Sequence, residues 1–146
     1  MAPKMTRKTI KFSGGQMKLI LRGVLVINYR KDREITEGDM LDQRYMRKEL
    51  IGDMSYYPIV DLSDGVVTFS DEAKAWVAVN KKSSSVRICD ILLVKGAVMK
   101  FKARFYTLMF KPTNRTVIVT SMQEALDFIE QDRKKRNQKI MAEVQK

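Results

Sequence analysis

The sequence predicts an α/β domain: a mixed β-sheet covered by about four helices and opened by an N-terminal hairpin. Three observations predict it. Short β-branched, apolar stretches alternate along the chain with stretches of helical periodicity. Two of the helical stretches open on a Ser or Thr with an acid three residues later, the pattern of a capping box. A hydrophobic fraction of 45% beside 31% charged residues is that of a globular core, and 146 residues are about one domain's length.

Residues 9–12 and 16–21 are extended segments joined by Ser13, Gly14 and Gly15, so they predict a hairpin whose glycines supply the positive φ of a tight turn. After the break at Gly23, residues 24–29 are β-branched and apolar enough for a central strand. Residues 30–34 are charged and turn the chain. Thr36 with Asp39 predicts a capped helix over 37–51, closed by Gly52, although its apolar residues scatter around the wheel. Residues 57–62 predict a buried strand with Pro58 at its beginning, because proline cannot donate to a ladder.

Asp64 and Gly65 turn the chain, and residues 66–69 form a short extended piece. Ser70 caps the next helix, with Asp71 and Glu72 in the first turn, where negative charge is favoured, and Ala73, Trp76 and Val77 on the buried face. Residues 81–85 form an exit loop, and residues 86–94 predict a strand that alternates and then turns fully apolar. A helix over 97–110 carries Val98, Phe101, Phe105, Leu108 and Met109 on one stripe and ends at Pro112. Residues 116–119 predict the last strand. Ser121 with Glu124 then opens the last helix, which turns Met122, Ala125, Leu126 and Ile129 to the core. Beyond Gln131 the pattern lapses into a basic, fraying helical extension. The chain thus divides into a basic tail (1–8), the α/β domain (9–131) and the extension (132–146).

The net charge of +11 sits at the ends of the chain. Residues 1–36 carry nine basic and two acidic side chains, and residues 132–146 carry six and two, while the ninety-five between them carry thirteen of each. A solubilising tail has this distribution, and so does an arm that binds polyanions. Histidine is absent, which removes the commonest general base, the commonest metal ligand and every Ser-His or Cys-His nucleophile pair. Together with the lack of a convergent carboxylate or lysine cluster, this predicts no catalytic residues, no metal and no cofactor. The lone Cys89 forms no internal disulfide. It lies within a predicted strand, where an inert buried thiol is the plainer reading. No apolar run approaches the ~20 residues of a membrane-spanning helix, and no export signal is apparent, so a cytoplasmic location is expected.

The organisation resembles the STAS superfamily, in particular its SpoIIAA-like, SEC14-type branch. Residues 18–21 with Gly23, Val24, Leu25, Val26 and Ile27 resemble the opening strand pair, and Ile35, Thr36 and Glu37 the start of the first helix. Ile59, Val60, Asp61 and Leu62 resemble the central strand that ends in aspartate, and residues 69–74 the start of the second helix. Residues 117–121 with Glu124, Ala125 and Leu126 resemble the closing strand and helix. The likeness spans about residues 16–131, points to an uncharacterised bacterial branch of the superfamily, and implies a non-enzymatic regulatory or ligand-sensing domain that binds along the second helix and its adjoining loops. The family's phosphorylated serine does not carry over, because Glu72 and Ala73 follow Asp71 here, so no phosphorylation is expected.

Candidate binding residues follow from the predicted strand ends. Asp61 ends an apolar strand where open α/β sheets place their ligand crevice, Lys95 and Gly96 stand at the corresponding place on the next strand, and Ser70 begins the helix between. These four would hold a small polar or anionic ligand. The plainer alternative makes Asp61 a turn cap, Ser70 an N-cap and Lys95 a solvated surface charge. Lys134, Lys135, Arg136 and Lys139 are the candidates for binding a polyanion, against the alternative of a solubilising tail. The partner expected first is a protein or small ligand. Nucleic acid through the basic termini, a lipid-like ligand and a homodimer stay open.

Overall fold

The computed structural model describes residues 8–79, 86–97, 99–100 and 115–144. Six strands, β1 (Lys8–Phe12), β2 (Gly15–Leu21), β3 (Val24–Tyr29), β4 (Tyr57–Asp61), β5 (Asp90–Leu93) and β6 (Thr116–Val119), form one sheet in which spatial order equals chain order. The first three are antiparallel and the rest run parallel to β3, so the sheet is mixed. Among the described residues it is covered by three helices, α1 (Glu37–Ile51), α2 (Asp71–Val79) and α3 (Met122–Val144), where about four were expected. The expected helix over 97–110 lies mainly outside the described residues; the chain does turn helical at Gly96.

Strand side chains alternate between faces, and this sheet uses both for packing. Val24 and Val26 of β3, Tyr57 and Ile59 of β4, and Ile91 and Leu93 of β5 pack on Ala125 and Ile129 of α3. Leu25, Ile27 and Tyr29 point the other way, to Met40 of α1 and Ala73 of α2. The near-continuous apolar run of β3 follows from this, because both of its faces are covered.

Local structure departs from the sequence expectation at four places, each for a physical reason. The hairpin register pairs Phe12 with Gly15, so the turn is Ser13-Gly14 and Gly15 belongs to β2, with φ of +154°. A Cβ on Gly15 would collide with the carbonyl oxygen of Asn28. The strand expected over 86–94 shrinks to Asp90–Leu93, preceded by a single bridge between Arg87 and Tyr56. Arg87 and Asp90 pair at 3.0 Å, and residues three apart meet only where the backbone bends, since an extended strand would send them to opposite faces.

Residues 66–69 likewise make one bridge, Phe69 to Ile35, held by Ile35 N–H to Thr68 O at 2.8 Å and Ser70 N–H to Ile35 O at 2.9 Å. Finally, α3 does not fray at Gln131 but runs unbroken to Val144. Its anchor is Asp132, 7% exposed, which accepts from Tyr57 Oη at 2.6 Å, Arg115 Nη2 at 2.6 Å and Arg136 Nε at 2.9 Å. Arg133 adds a hydrogen bond to the Arg22 carbonyl at 2.6 Å and lies over the Tyr57 ring.

Candidate functional site

The four residues predicted to hold a polar ligand stand near one end of the sheet, but their polar groups do not converge. Asp61 closes β4, and its Oδ1 accepts from both the amide and the hydroxyl of Ser63, forming a turn through its own neighbourhood. Ser70 Oγ accepts from the Ala73 amide at 3.0 Å, which makes it the N-cap of α2. Lys95 and Gly96 are exposed, and Gly96 takes a φ of +84° as the chain leaves the sheet.

What this edge presents instead is an apolar groove of about 380 Å³. Val60 and Leu62 from β4 and its exit, Leu92 and Val94 from β5 and its exit, Phe69 just before α2 and Val77 within it line its walls. The groove exists because the 66–69 segment is tied to Ile35 rather than to β4, and because Tyr29 and Phe69 meet edge-to-face at 5.0 Å beneath it. Val66 at its rim is 69% exposed, an unusual position for a large aliphatic side chain. Lys74 brings the one charged group among its lining residues.

A second, smaller cavity of about 70 Å³ lies on the same sheet face between α1 and α2. Arg44 and Arg47 of α1, Arg87, Asp90, Tyr56 and Trp76 line it, and Tyr29, Val60, Val77 and Leu92 border both this cavity and the groove. Arg87 donates twice to Asp90, at 3.0 and 3.2 Å, and once to the Val77 carbonyl. Burial raises the Asp90 carboxyl above its ordinary range, against the pull of Arg87. Burial likewise pushes Tyr56 up to about 12. None of these residues was singled out from sequence as a binding residue, and Trp76 was expected only as part of the buried face of its helix. Arg47 falls on an ordinary helix turn, and only the arrival of Tyr56 over its guanidinium, 5.4 Å away, buries it.

The basic candidates are all exposed along the outer half of α3. Lys134 pairs with Glu130 at 3.4 Å and Arg136 with Asp132, while Lys135 and Lys139 form no ion pair among the described residues. With Arg115 and Arg133 they make one basic end of the molecule, opposite the groove along the parallel strands, because Tyr57 and Thr116 begin the strands that Asp61 and Val119 end. Cys89 is fully buried and desolvation raises its thiol, so it carries little thiolate. Among the described residues no group of three or more Cys, Asp or Glu side chains is placed to hold a metal, and no helix is long and apolar enough to cross a membrane.

A family model described as a domain of unknown function, DUF7793, matches residues 17–133, from β2 through the anchor of α3. The chain belongs to that family. No curated protein matches it significantly. Among solved structures, an uncharacterised protein of the DUF3478 family from Shewanella loihica PV-4, described as having a SpoIIAA-like fold, superposes with a TM-score of 0.53 at 12% identity. The match covers 88% of this chain and 98% of the other. The DUF7793 chain therefore has a SpoIIAA-like fold, as the resemblance in its sequence implied. At that identity the likeness speaks for architecture alone.

Proposed function

We propose that this member of the DUF7793 family is a non-catalytic binding domain with a regulatory role, and that its ligand face is the apolar groove beside α2. The observation that carries the reading is the chemistry of that edge. A groove of about 380 Å³ is lined by aliphatic and aromatic side chains. Lys74 is its one charged lining residue, and the neighbouring Asp61 and Ser70 are engaged in holding turns and caps. Such a surface suits binding that excludes water from an apolar group. The absence of histidine agrees with this. The single, buried Cys89 suits the reducing cytoplasm in which we place the protein.

The test uses an apolar fluorescent probe, N-phenyl-1-naphthylamine, titrated into the whole protein. Saturable enhancement is expected, and Leu62→Asp, which sets a charge on the groove wall, should abolish it while leaving the circular dichroism spectrum unchanged. Native mass spectrometry of protein isolated from its host then identifies any retained molecule. A linear, unsaturated probe response or enhancement that survives Leu62→Asp refutes the groove, and turnover of a substrate by the purified chain refutes the non-catalytic role.

A second reading is supported by the basic end of α3, where Lys134, Lys135 and Lys139 are exposed beside Arg115 and Arg133. Binding of nucleic acid there predicts an affinity for nonspecific DNA that falls steeply with salt, because each phosphate contact releases a counterion. Replacing Lys134, Lys135 and Lys139 by Gln should flatten that dependence; DNA binding indifferent to salt or to these substitutions rules it out.

A further inference from the structure

The lining of the cavity between α1 and α2 carries more positive than negative charge. Three guanidiniums line it, from Arg44, Arg47 and Arg87, against one carboxylate, Asp90. Asp90 is already taken by Arg87 in a two-point ion pair in which both side chains are nine-tenths buried. Arg47 is only 3% exposed, and its hydrogen bond is to a backbone carbonyl, Gly52 O, at 3.2 Å. Neither Arg47 nor Arg44 has a carboxylate within ion-pair distance. All seventeen Asp and Glu residues of the sequence lie in the described part of the chain, so no acidic side chain outside it can serve instead.

A guanidinium stays protonated at any physiological pH and has five N–H donors in a fixed fork. Buried without a counter-ion it is costly, and buried charges in stable proteins are matched by an opposite charge. The cavity gives the room. Its 70 Å³ is several times the roughly 10–15 Å³ that a single water needs, enough to admit a small anion such as a phosphate or a short carboxylate. Among its other walls, Ile27, Met40, Val60 and Leu92 are apolar and reduce the screening of the electrostatic attraction, while Gln43 and Thr116 are polar and uncharged.

We propose that this cavity is an anion site, in which Arg44 and Arg47 on one face of α1 grip the phosphate or carboxylate group of a small ligand. The guanidiniums stand three residues apart on α1, so both can reach one oxyanion and donate to it in pairs, as guanidinium forks do. Arg87 stays with Asp90 and forms the rigid floor.

The lone tryptophan of the chain, Trp76, lines the cavity and reports on its contents. The experiment titrates the full-length protein with sodium phosphate and, separately, sodium acetate, at ionic strength held constant with sodium chloride. Trp76 fluorescence and the thermal midpoint are followed together. We expect one of the two anions to saturate with a midpoint below about 1 mM and to raise the thermal midpoint, as a ligand of the folded state must. Saturation by phosphate alone identifies a phosphorylated ligand, and saturation by acetate alone a carboxylic acid.

Arg44→Gln should weaken binding at least about tenfold, the effect of losing one charge-assisted pair, while Arg44→Lys keeps most of it. Arg44 lies at the half-exposed rim, so this variant tests the site even if Arg47→Gln fails to fold. Fluorescence and thermal midpoint both unmoved by either anion, or binding that Arg44→Gln leaves unchanged, overturns the proposal. The apolar-probe result does not bear on it, since that probe reads the neighbouring groove and Arg44 is not among the groove's walls.

Discussion

Replacing Asp132 by Asn tests what holds the last helix to the sheet. Burial works against the Asp132 carboxylate, but hydrogen bonds from Tyr57, Arg136 and Arg115 outweigh it and hold the carboxyl down from its ordinary 3.8 to about 2. At 1.36 kcal/mol per pH unit, that difference is worth about 2 kcal/mol. Arg115 and Arg136 are themselves more than a third exposed, at 57% and 50%, so solvent screening reduces the expected cost of Asp132→Asn to about 1–2 kcal/mol at pH 7.

The sign is fixed by the direction of the shift. A carboxyl that titrates lower in the folded chain stabilises fully above its ordinary value near 3.8, and that contribution disappears as pH falls through about 2. Urea unfolding of both proteins at pH 7 and pH 3 measures it, and at pH 3 about half of the difference should remain. Amide exchange along residues 133–144 should quicken in the variant, because the anchor of the helix end is weakened. An equal cost at both pH values, or none at pH 7, would show that the carboxylate's charge is not what secures α3.

Other outcomes follow from other contacts. Gly15→Ala forces a side chain into the carbonyl of Asn28 at a φ of +154° and should lower stability by about 1–3 kcal/mol, read as a fall in thermal midpoint. Thr36→Ala removes the hydroxyl that accepts from the Asp39 amide and should cost about 1 kcal/mol by urea titration. Burial pushes Tyr56 and Tyr57 up to about 12, Tyr57 with help from Asp132. Their contribution is whole below the ordinary value of 10 and is lost as pH rises through 12, so base unfolding in that window should coincide with a step in tyrosinate absorbance.

Local chemistry made much of the architecture readable. Thr36 and Asp39 form the capping box that their spacing announces, and Ser121 with Glu124 repeats it, the Glu124 amide donating to Ser121 Oγ at 3.1 Å. The β3 stretch is apolar because it is covered on both faces, and that needs no knowledge of partners. Long-range pairing was not readable. Tyr57 meets Asp132 across 75 residues, and Arg133 reaches the Arg22 carbonyl across 111. A basic run that looks like a loose tail is therefore pinned at its base.

The same holds for the two cavities. Arg47 and Asp90 are charged residues in unremarkable local patterns, and only the convergence of α1, α2 and β5 buries them. Asp61 was identifiable as a strand end, yet its carboxylate is occupied by Ser63, a contact that any Asp-x-Ser can make and that spacing alone does not distinguish from ligand binding. The groove beside it depends on Phe69 bridging to Ile35 instead of lengthening a strand.

Because the six strands stand side by side in the order in which they are synthesised, no strand must wait for a later one to be inserted beside it. The antiparallel trio comes first and each parallel strand is added to the growing edge, so the nascent chain can build the sheet by accretion as it leaves the ribosome. The finished edge at β1 is guarded by the exposed lysines Lys8 and Lys11, which discourage a second molecule from extending the sheet there.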